Sequence, residues 1–464
     1  MNSKMISKTI VMVLLLVSGV VFAGYSQERF TLEQAISAAL EHNHSIRVES
    51  IEAVKADRRV SRGYAGLLPN VGITGQLEQT YGSVELAPGS FFRDLIGGQL
   101  GDQPGNQVPA IPSSIRYDGI SSTSTMAGLG GQMVIYDGGK GQIRYSLLQT
   151  ASDAAGLQHR HRMEETILEI TQKYAETALL QESLNLQQEI LRQGYDRYRI
   201  KQEQSRYGQT SEQELLQAQA DLKSDSTDYR DLQNRFETSY RELHQTIGWK
   251  ERPPVELEAD LPVATREELL AMTDEARQRN TRLELNRRQV EMSDYELQLS
   301  ESDVYPRLLA SAQLGHRYEY VSEGQFESRK QWGLTGGLTL QMPLFEGGRR
   351  SVDRQNARAS VRQSEIRRQE AERQLETELE NSLSRFKHLE EELQTLRDDL
   401  HVYERNFERA HQTHRQGLIT GIELRQAQLG LMSARLQISE LQLQLKLTET
   451  VLMYTGGRLI VENY

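Results

Sequence analysis

Two segments of this chain repeat one pattern at a constant spacing, and no other feature constrains the fold as strongly. Residues 133–140 (MVIYDGGK) recur in similar form as residues 342–349 (MPLFEGGR), 209 positions later. The same offset of 209 relates residues 206–219 to residues 415–428, which share an arginine, a following glycine and a Gln-Ala-Gln triplet. Repetition on this scale indicates two copies of one structural unit, so an element predicted in one half should recur in the other.

The composition excludes several classes of function. Of the 464 residues, 37% are hydrophobic and 6% aromatic, which is typical of long solvated helices rather than of thick globular cores. A net charge of −11 without a basic block argues against a nucleic-acid partner. The chain has no cysteine, Gly138–Gly141 lacks the spacing of a phosphate-binding loop, and the histidine pairs lack further metal ligands. We therefore expect no cofactor and no enzymatic activity.

The first 23 residues are a predicted secretory signal peptide. Lys4 and Lys8 precede an apolar run over residues 10–21, and small residues ending at Ala23 suit a cleavage site. The run is shorter than the roughly 20 apolar residues that a permanent anchor needs, although a signal anchor is the alternative. The mature chain should begin near Gly24. No later segment resembles a transmembrane helix, so a position in a membrane would require strands.

Four later segments alternate apolar and polar residues with the period of a β-strand. Each is about as long as the ~9–11 residues that a tilted strand needs to cross a bilayer. Aromatic residues such as Tyr81 and Trp332 lie near the ends, where an aromatic girdle would sit. A half-buried sheet in a soluble domain explains the alternation alone equally well. The predicted strands are about 71–82, 124–136, 308–320 and 332–344.

Very long helices follow each pair of predicted strands. Residues 141–206 and 350–415 contain no proline, and in the second segment apolar residues recur every three or four positions from Ala371 to Ala410. Such a seam is typical of a coiled coil, and 66 residues of helix would measure about 100 Å. A return helix follows a glycine turn in each half. The predicted antiparallel helical hairpins are 141–247, with its tip near Gly208, and 349–455, with its tip near Gly417.

The remaining segments contain shorter elements. Thr31 is a predicted N-cap with Gln34 in the capping-box position, and a second helix is expected over about 46–66. Ser83–Thr123, which is rich in proline, glycine and serine, is a predicted long loop between the first two strands, whereas its counterpart Val321–Lys330 is short. The predicted divisions are signal peptide 1–23, first repeat 24–250, linker 251–264, second repeat 265–456 and C-terminal tail 457–464.

The predicted strands impose a requirement on assembly if they cross a membrane. Four strands cannot close a barrel, since about eight is the smallest number that does so. Strands in hydrocarbon also cannot leave their edges unpaired. Several chains would then have to share one barrel, with the helical hairpins extending it as a tube.

This layout resembles the TolC-like outer membrane efflux family over essentially the whole mature chain. The resemblance rests on Leu68-Pro69-Asn70 before the first strand, on the turns at residues 136–139 (YDGG) and 345–348 (FEGG), and on the two glycine turns with Leu-x-Gln-Ala-Gln motifs. It implies an α+β membrane protein that forms a homotrimer. In that trimer twelve strands build one β-barrel surrounded by outer membrane lipid, and twelve helices build a periplasmic tunnel.

The same resemblance implies a function and partners. The protein would be a passive exit duct for small molecules such as drugs and toxic compounds, located in the outer membrane with a large periplasmic portion. A periplasmic adaptor protein and an inner membrane pump or exporter would complete the machine. A duct for type I protein secretion is an alternative within this fold. A soluble periplasmic coiled-coil scaffold or adaptor is an alternative of another class.

The resemblance also points to residues at the hairpin tips. Acidic residues that ring the tunnel entrance in the family correspond to Glu423, which is acidic, and to Gln426, which is not. The family's basic gating position is Ile419 here, with Glu214 as its acidic partner, so this ion pair is not expected. His414 is a candidate for pH sensitivity. The expected adaptor contacts are the tip turns containing Gly208, Gln209, Thr210, Gly417, Leu418 and Gly421.

Overall fold

The computed structural model describes residues 29–86, 114–250, 255–273, 276–321 and 328–460. The predicted signal peptide lies outside these residues. The chain forms two compact units. The helical unit comprises Met1–Ala56, Ser152–Val290 and Gln363–Tyr464, and the sheet unit comprises Asp57–Ala151 and Glu291–Arg362.

The sheet unit contains one antiparallel sheet of four long strands. Its strands are β2 (Asn70–Leu86), β3 (Ile115–Tyr136), β5 (Arg307–Val321) and β6 (Ser328–Gln341), in the spatial order β2-β3-β5-β6. Each neighbouring pair is antiparallel. Strands β2 and β6 are therefore the two edges, and each has one side without a partner strand in the described part of this chain.

The strand register places most of the apolar residues of the four strands on one face. Ile73 lies opposite Leu129, which lies opposite Leu314, which in turn lies opposite Leu334. Directly opposed residues share a face of a sheet, and alternate residues along a strand return to it. The face marked by this row, the apolar face, thus carries leucine, isoleucine, valine and aromatic side chains. Many of these side chains are exposed, and Ile73 is 85% exposed.

The opposite face of the sheet, the polar face, carries glycine, threonine, serine, glutamine and charged residues. One of its rows consists of Thr74, Gly128, Gly315 and Gly333. Strands β3 and β5 approach closely here, since a Cβ on Gly128 would lie 2.8 Å from the Leu314 carbonyl oxygen. Glycine permits this approach, and the row contains no side chain longer than threonine.

The structure corrects several predicted boundaries, including the start of the fourth strand, which is Ser328 rather than 332. Residues 83–86 and 115–123 of the predicted loop are strand, because β2 and β3 continue their pairing as far as Leu86 and Ile115; residues 87–113 lie outside the described part. Strand β6 ends at Gln341 rather than 344, and Pro343 lacks the N–H that would continue a ladder. The second helix ends at Arg59 rather than 66, and Gly66 adopts a φ of +80° in the turns that follow.

The other elements are helices and two short strands. The two longest helices have 67 residues each. Among the described residues, no helix combines the length and apolar character needed to cross a membrane. The elements are β1 (Arg29–Phe30), α1 (Leu32–His42), α2 (His44–Arg59), α3 (Lys140–Arg206), α4 (Glu212–Ile247), β4 (Glu256–Leu257), α5 (Arg266–Thr273), α6 (Ala276–Arg279), α7 (Thr281–Glu301), α8 (Arg349–Arg415) and α9 (Gly421–Thr455).

The predicted seam of α8 is buried along its first half. Its core members lie in one hydrophobic cluster with residues of α5, α7 and α9. Further along the seam Tyr403 is 40% exposed, so the second half of the seam is only partly covered within one chain. The buried seam residues are Ala371, Leu375, Leu379, Phe386, Leu389 and Leu393.

Both return helices end at corners of similar construction. The Asn43 side chain donates to the Thr246 carbonyl at 2.7 Å and so ties the α1–α2 junction to the end of α4. The Asn280 side chain donates to the Thr455 carbonyl at 2.9 Å and ties the α6–α7 junction to the end of α9. Each asparagine also caps the helix that follows it, through its side-chain oxygen. The C-terminal ends of α4 and α9 are therefore fixed.

A glycine makes each corner possible. Gly248 has a φ of +90° and Gly457 a φ of +68°, in the left-handed region that favours glycine. A Cβ on Gly248 would lie 2.5 Å from the His42 carbonyl oxygen, and one on Gly457 would lie 2.4 Å from that of Arg279. Neither position accepts a side chain without displacing backbone.

Candidate functional site

The first hairpin turns at Gly208. Helix α3 ends at Arg206, and Gly208 adopts a φ of +67°. The Gln209 N–H donates to the Gln204 carbonyl at 2.8 Å, which closes the helix end as in a Schellman motif. Ser211 caps α4, because its side-chain oxygen accepts from the Glu214 N–H at 3.2 Å. The turn is thus defined by local hydrogen bonds.

The second hairpin turns in the same way at Gly417. Gly417 adopts a φ of +75°, and the Leu418 N–H donates to the Thr413 carbonyl at 3.1 Å. Thr420 is the N-cap of α9, so Gly421 is the first helical residue. The prediction that Gly421 belongs to the turn is therefore wrong, because helix α9, capped by Thr420, begins at Gly421.

Glu423 forms the other half of a capping box at the start of α9. Its carboxylate accepts from the Thr420 N–H at 2.7 Å and from the Thr420 hydroxyl at 2.9 Å, and the Thr420 side chain accepts from the Glu423 N–H. The Thr420 backbone N–H lowers the pKa of Glu423. This exposed residue therefore carries a negative charge at neutral pH and stabilises its helix.

Glu214 is paired within its own hairpin. The Lys201 ammonium donates to the Glu214 carboxylate at 2.8 Å, and the Thr210 hydroxyl donates to the same oxygen. Lys201 is the main reason that the pKa of Glu214 is lowered. Ile419 is half-buried and Gln426 is exposed. Within the described ranges, no hydrogen bond or ion pair joins Glu214 to Ile419, Gln426 or Glu423.

His414 lies in the last turn of α8 and is half-buried. Its Nε2 atom faces the start of α9, since a Cβ on Gly421 would lie 3.9 Å from it. Burial lowers the pKa of His414, and the positive charges of Lys201 and Arg197 and the neighbouring His411 lower it further. The folded tip therefore favours the neutral imidazole.

A buried ion pair joins the two hairpins near their tips. The Arg425 guanidinium of α9 binds the Asp225 carboxylate of α4 in a bidentate manner, at 2.9 and 2.7 Å. The Asp225 side chain is only 2% exposed and that of Arg425 19%. Asp225 raises the pKa of Arg425, so the guanidinium remains charged over the physiological range. Removal of one partner from a buried ion pair of this kind lowers the stability of the protein by several kcal/mol.

Helix α3 extends this ion pair into a network. The Arg197 guanidinium donates to the Gln428 side-chain oxygen of α9 at 3.0 Å and lies 4.0 Å from the Asp225 carboxylate. Gly194 on α3 provides the space, because a Cβ there would lie 2.9 Å from an Asp225 carboxylate oxygen. Helices α3, α4 and α9 therefore meet at one charged cluster, the inter-hairpin network (Arg197, Asp225, Arg425 and Gln428).

Sequence reasoning did not identify the inter-hairpin network. Arg425 and Gln428 lie inside the repeated motif, but Asp225 is 200 positions from Arg425 and no local pattern pairs them. The usable signal was a difference between the repeats. At the 209-residue offset Arg425 corresponds to Leu216 and Asp225 to Ala434. The charged pair of Arg425 and Asp225 thus has two apolar residues, Leu216 and Ala434, at the equivalent positions.

The two tips also expose apolar side chains. Leu418, in the second turn, is 72% exposed, and Tyr207, in the first, is 77% exposed. Ile422 on the first turn of α9 is exposed as well. The turn residues expected to contact an adaptor, Gly208, Gln209, Thr210, Gly417 and Leu418, therefore lie beside accessible apolar groups.

Comparison with known proteins identifies solved structures of the same fold. CmeC, an outer membrane channel of Campylobacter jejuni, is 16% identical, with a TM-score of 0.70 over 93% of this chain and 87% of that one. MtrE, an outer membrane channel of Neisseria gonorrhoeae, is 15% identical, with a TM-score of 0.67 over 92% and 89%. VceC, an outer membrane protein of Vibrio cholerae, is 16% identical, with a TM-score of 0.66 over 92% and 96%.

Sequence comparison adds a curated relative and a family. The alkaline protease secretion protein AprF of Pseudomonas aeruginosa is 21% identical over 296 residues, which are 61% of this chain and 59% of AprF. The chain thus spans less than two thirds of the length of that relative. The family model for outer membrane efflux proteins matches residues 35–249 and 272–457, which are most of the sequence. This chain belongs to the outer membrane efflux protein family.

Proposed function

We propose that three copies of this chain form a passive exit duct across the outer membrane and part of the periplasm. The observation behind this proposal is the two-faced sheet, whose two edge strands have no further partner strand among the described residues. Pairing β6 of one copy with β2 of the next removes every edge, and three copies supply about twelve strands, enough to close a barrel. The apolar face then meets lipid and the polar face lines the lumen. In this assembly the two halves of the chain are structural repeats.

Small molecules are the proposed cargo, delivered by an inner membrane pump through a periplasmic adaptor protein that docks at the hairpin tips. Exposed Leu418 and Tyr207 at the tip turns support a docking surface there. Export of a polypeptide is the second candidate, favoured by the similarity to a protease secretion protein. Both candidates use the same duct and take their energy from the partner transporter.

Purified protein in a planar bilayer tests the proposed function. Protein extracted from the outer membrane with detergent should run as an oligomer and produce discrete conductance steps. A monomer that stays in aqueous buffer and produces no conductance would contradict the duct and support the periplasmic scaffold instead.

Three Glu423 carboxylates form the proposed cation-attracting ring at the periplasmic entrance. Glu423→Gln should lower the cation-to-anion permeability ratio, because it removes three negative charges from the ring. Glutamine also fits the capping box, so the start of α9 should be preserved. Reversal potentials in a salt gradient measure the ratio, and Gln426→Ala, which removes no charge, is the matched control. An unchanged ratio in Glu423→Gln would remove Glu423 from the entrance.

His414 is the proposed source of pH dependence at the tip. Its pKa is lowered in the folded tip, so the packed tip is most stable above the ordinary value of about 6.5 and loses stability as pH falls below it. The facing groups, Lys201 and Arg197 on α3 and His411 on α8, are basic and oppose protonation. Conductance should therefore rise between about pH 7 and pH 5, and His414→Gln should abolish most of the rise. An identical pH profile in the variant would refute this role.

A further inference from the structure

The polar face of the sheet carries an arginine that lacks a carboxylate partner. Arg317 of β5 lies opposite Met126 of β3 and Gln331 of β6, and Met126 lies opposite Gln76 of β2. This row contains no acidic residue. The Arg317 guanidinium lies 3.6 Å from the Met126 sulfur, which is a weak acceptor that carries no charge. Among the residues that the structure describes, no carboxylate forms an ion pair with Arg317.

The neighbouring row leaves Arg317 accessible. Thr74, Gly128, Gly315 and Gly333 form that row, and none has a side chain long enough to cover a guanidinium. Arg317 is accordingly exposed. A charge that is neither paired nor covered acts on the solution in front of it, in this case the solution in front of the polar face.

The other charges on the polar face do not cancel that of Arg317. Glu319 and Arg329 lie directly opposite each other on β5 and β6 and carry opposite charges. Glu78 lies on β2, opposite Ser124 of β3. Arg307, at the other end of β5, adds a further positive charge opposite Gln341. The described side chains of this face thus contribute three arginines and two glutamates, which leaves a net positive charge in each chain.

We propose that Arg317 is a selectivity-determining residue of the barrel lumen, where three copies form a ring that attracts anions. The proposal rests on the proposed function, because it requires that the polar face line the lumen of a trimer. Rings of like-charged side chains set ion preference in pores. The duct then carries two rings of opposite charge, Glu423 in the helical unit and Arg317 in the sheet unit. Its overall ion preference reflects both.

Replacing Arg317 by glutamine tests the proposal. The cation-to-anion permeability ratio in a potassium chloride gradient should rise by about two- to five-fold, since three partly screened unit charges are removed. Lys330→Gln is the matched control. It removes a positive charge of the adjacent strand from the opposite face, where the ammonium lies 5.6 Å from the Tyr318 ring centre. It should leave the ratio unchanged.

The absence of cysteine allows a second test on Arg317→Cys. A cationic methanethiosulfonate should return the permeability ratio towards the wild-type value, and an anionic one should move it further away. Lys330→Cys should respond to neither reagent. Conducting channels in which Arg317→Gln and Lys330→Gln give the same ratio, or in which Arg317→Cys is insensitive to both reagents, would overturn this proposal alone. Failure of the wild-type protein to conduct would instead overturn the proposed function.

Discussion

Replacing Arg425 by methionine should open the periplasmic tip, with a several-fold rise in single-channel conductance. The substitution leaves the buried Asp225 carboxylate without its bidentate partner, and breaking a buried pair in this way costs about 3–5 kcal/mol. Because the inter-hairpin network joins α9 to α3 and α4, this loss falls on a contact between the two hairpins. Arg425→Lys keeps the charge but not the two parallel hydrogen bonds, so its conductance should be intermediate.

Arg435→Met is the matched control for Arg425→Met. Arg435 lies on the same helix and contacts Glu404 at 3.3 Å, but both of these side chains are more than two-fifths exposed. An exposed pair contributes only about 0–1 kcal/mol. Conductance of Arg435→Met should therefore match that of the wild type. Equal conductance of the two variants would show that the inter-hairpin network does not hold the tip closed. A thermal melt of each purified variant would separate tip opening from global unfolding.

Replacing Leu314 by arginine should prevent assembly in the membrane, whereas the same change at the adjacent Gln313 should be tolerated. Leu314 belongs to the row of four apolar residues, and Gln313 lies on the polar face. An arginine on the lipid side of a membrane barrel costs about 2–4 kcal/mol near the midplane. The cost applies three times in a trimer, while an arginine in the lumen remains hydrated.

The amount of heat-resistant oligomer in isolated outer membranes measures this difference. We expect little or no oligomer for Leu314→Arg and near wild-type amounts for Gln313→Arg. The two variants add the same side chain at neighbouring positions of one strand, so general effects of charge on expression or export are matched. Equal assembly of both variants would contradict the assignment of the apolar face to lipid.

Local patterns in the sequence predicted those elements whose structure depends on nearby residues. The capping box of Thr31 and Gln34 is present, because both of its hydrogen bonds lie within four residues. The apolar seam of α8 is buried from Ala371 to Leu393, because helical spacing alone puts these residues on one side. Alternation likewise indicated which residues of each strand share a face. The family resemblance pointed to Glu423 as an acidic residue at the tip. Its capping role follows from Thr420, which lies three positions before it.

Contacts between distant segments were not predictable in this way. The inter-hairpin network joins residues 200 and 231 positions apart, and nothing near Asp225 indicates its partner. The lengths of β2 and β3 depend on how far the two strands remain paired. The glycine, serine and proline residues of this segment indicated a loop, so its composition did not predict the extended pairing. The isolation of Arg317 emerged only from the register, which shows that its row contains no carboxylate.

Cysteine cross-linking between β2 and β6 tests the central claim that three chains share one closed sheet. In the cysteine-free chain, Ile73→Cys can be combined in turn with cysteine at Leu334, Gly336, Leu338 or Leu340, all on the same face. Oxidation in membranes should link neighbouring chains for at least one combination and yield covalent products that stop at three chains. Products that continue to four or more chains, or no cross-link in any combination, would contradict the shared barrel.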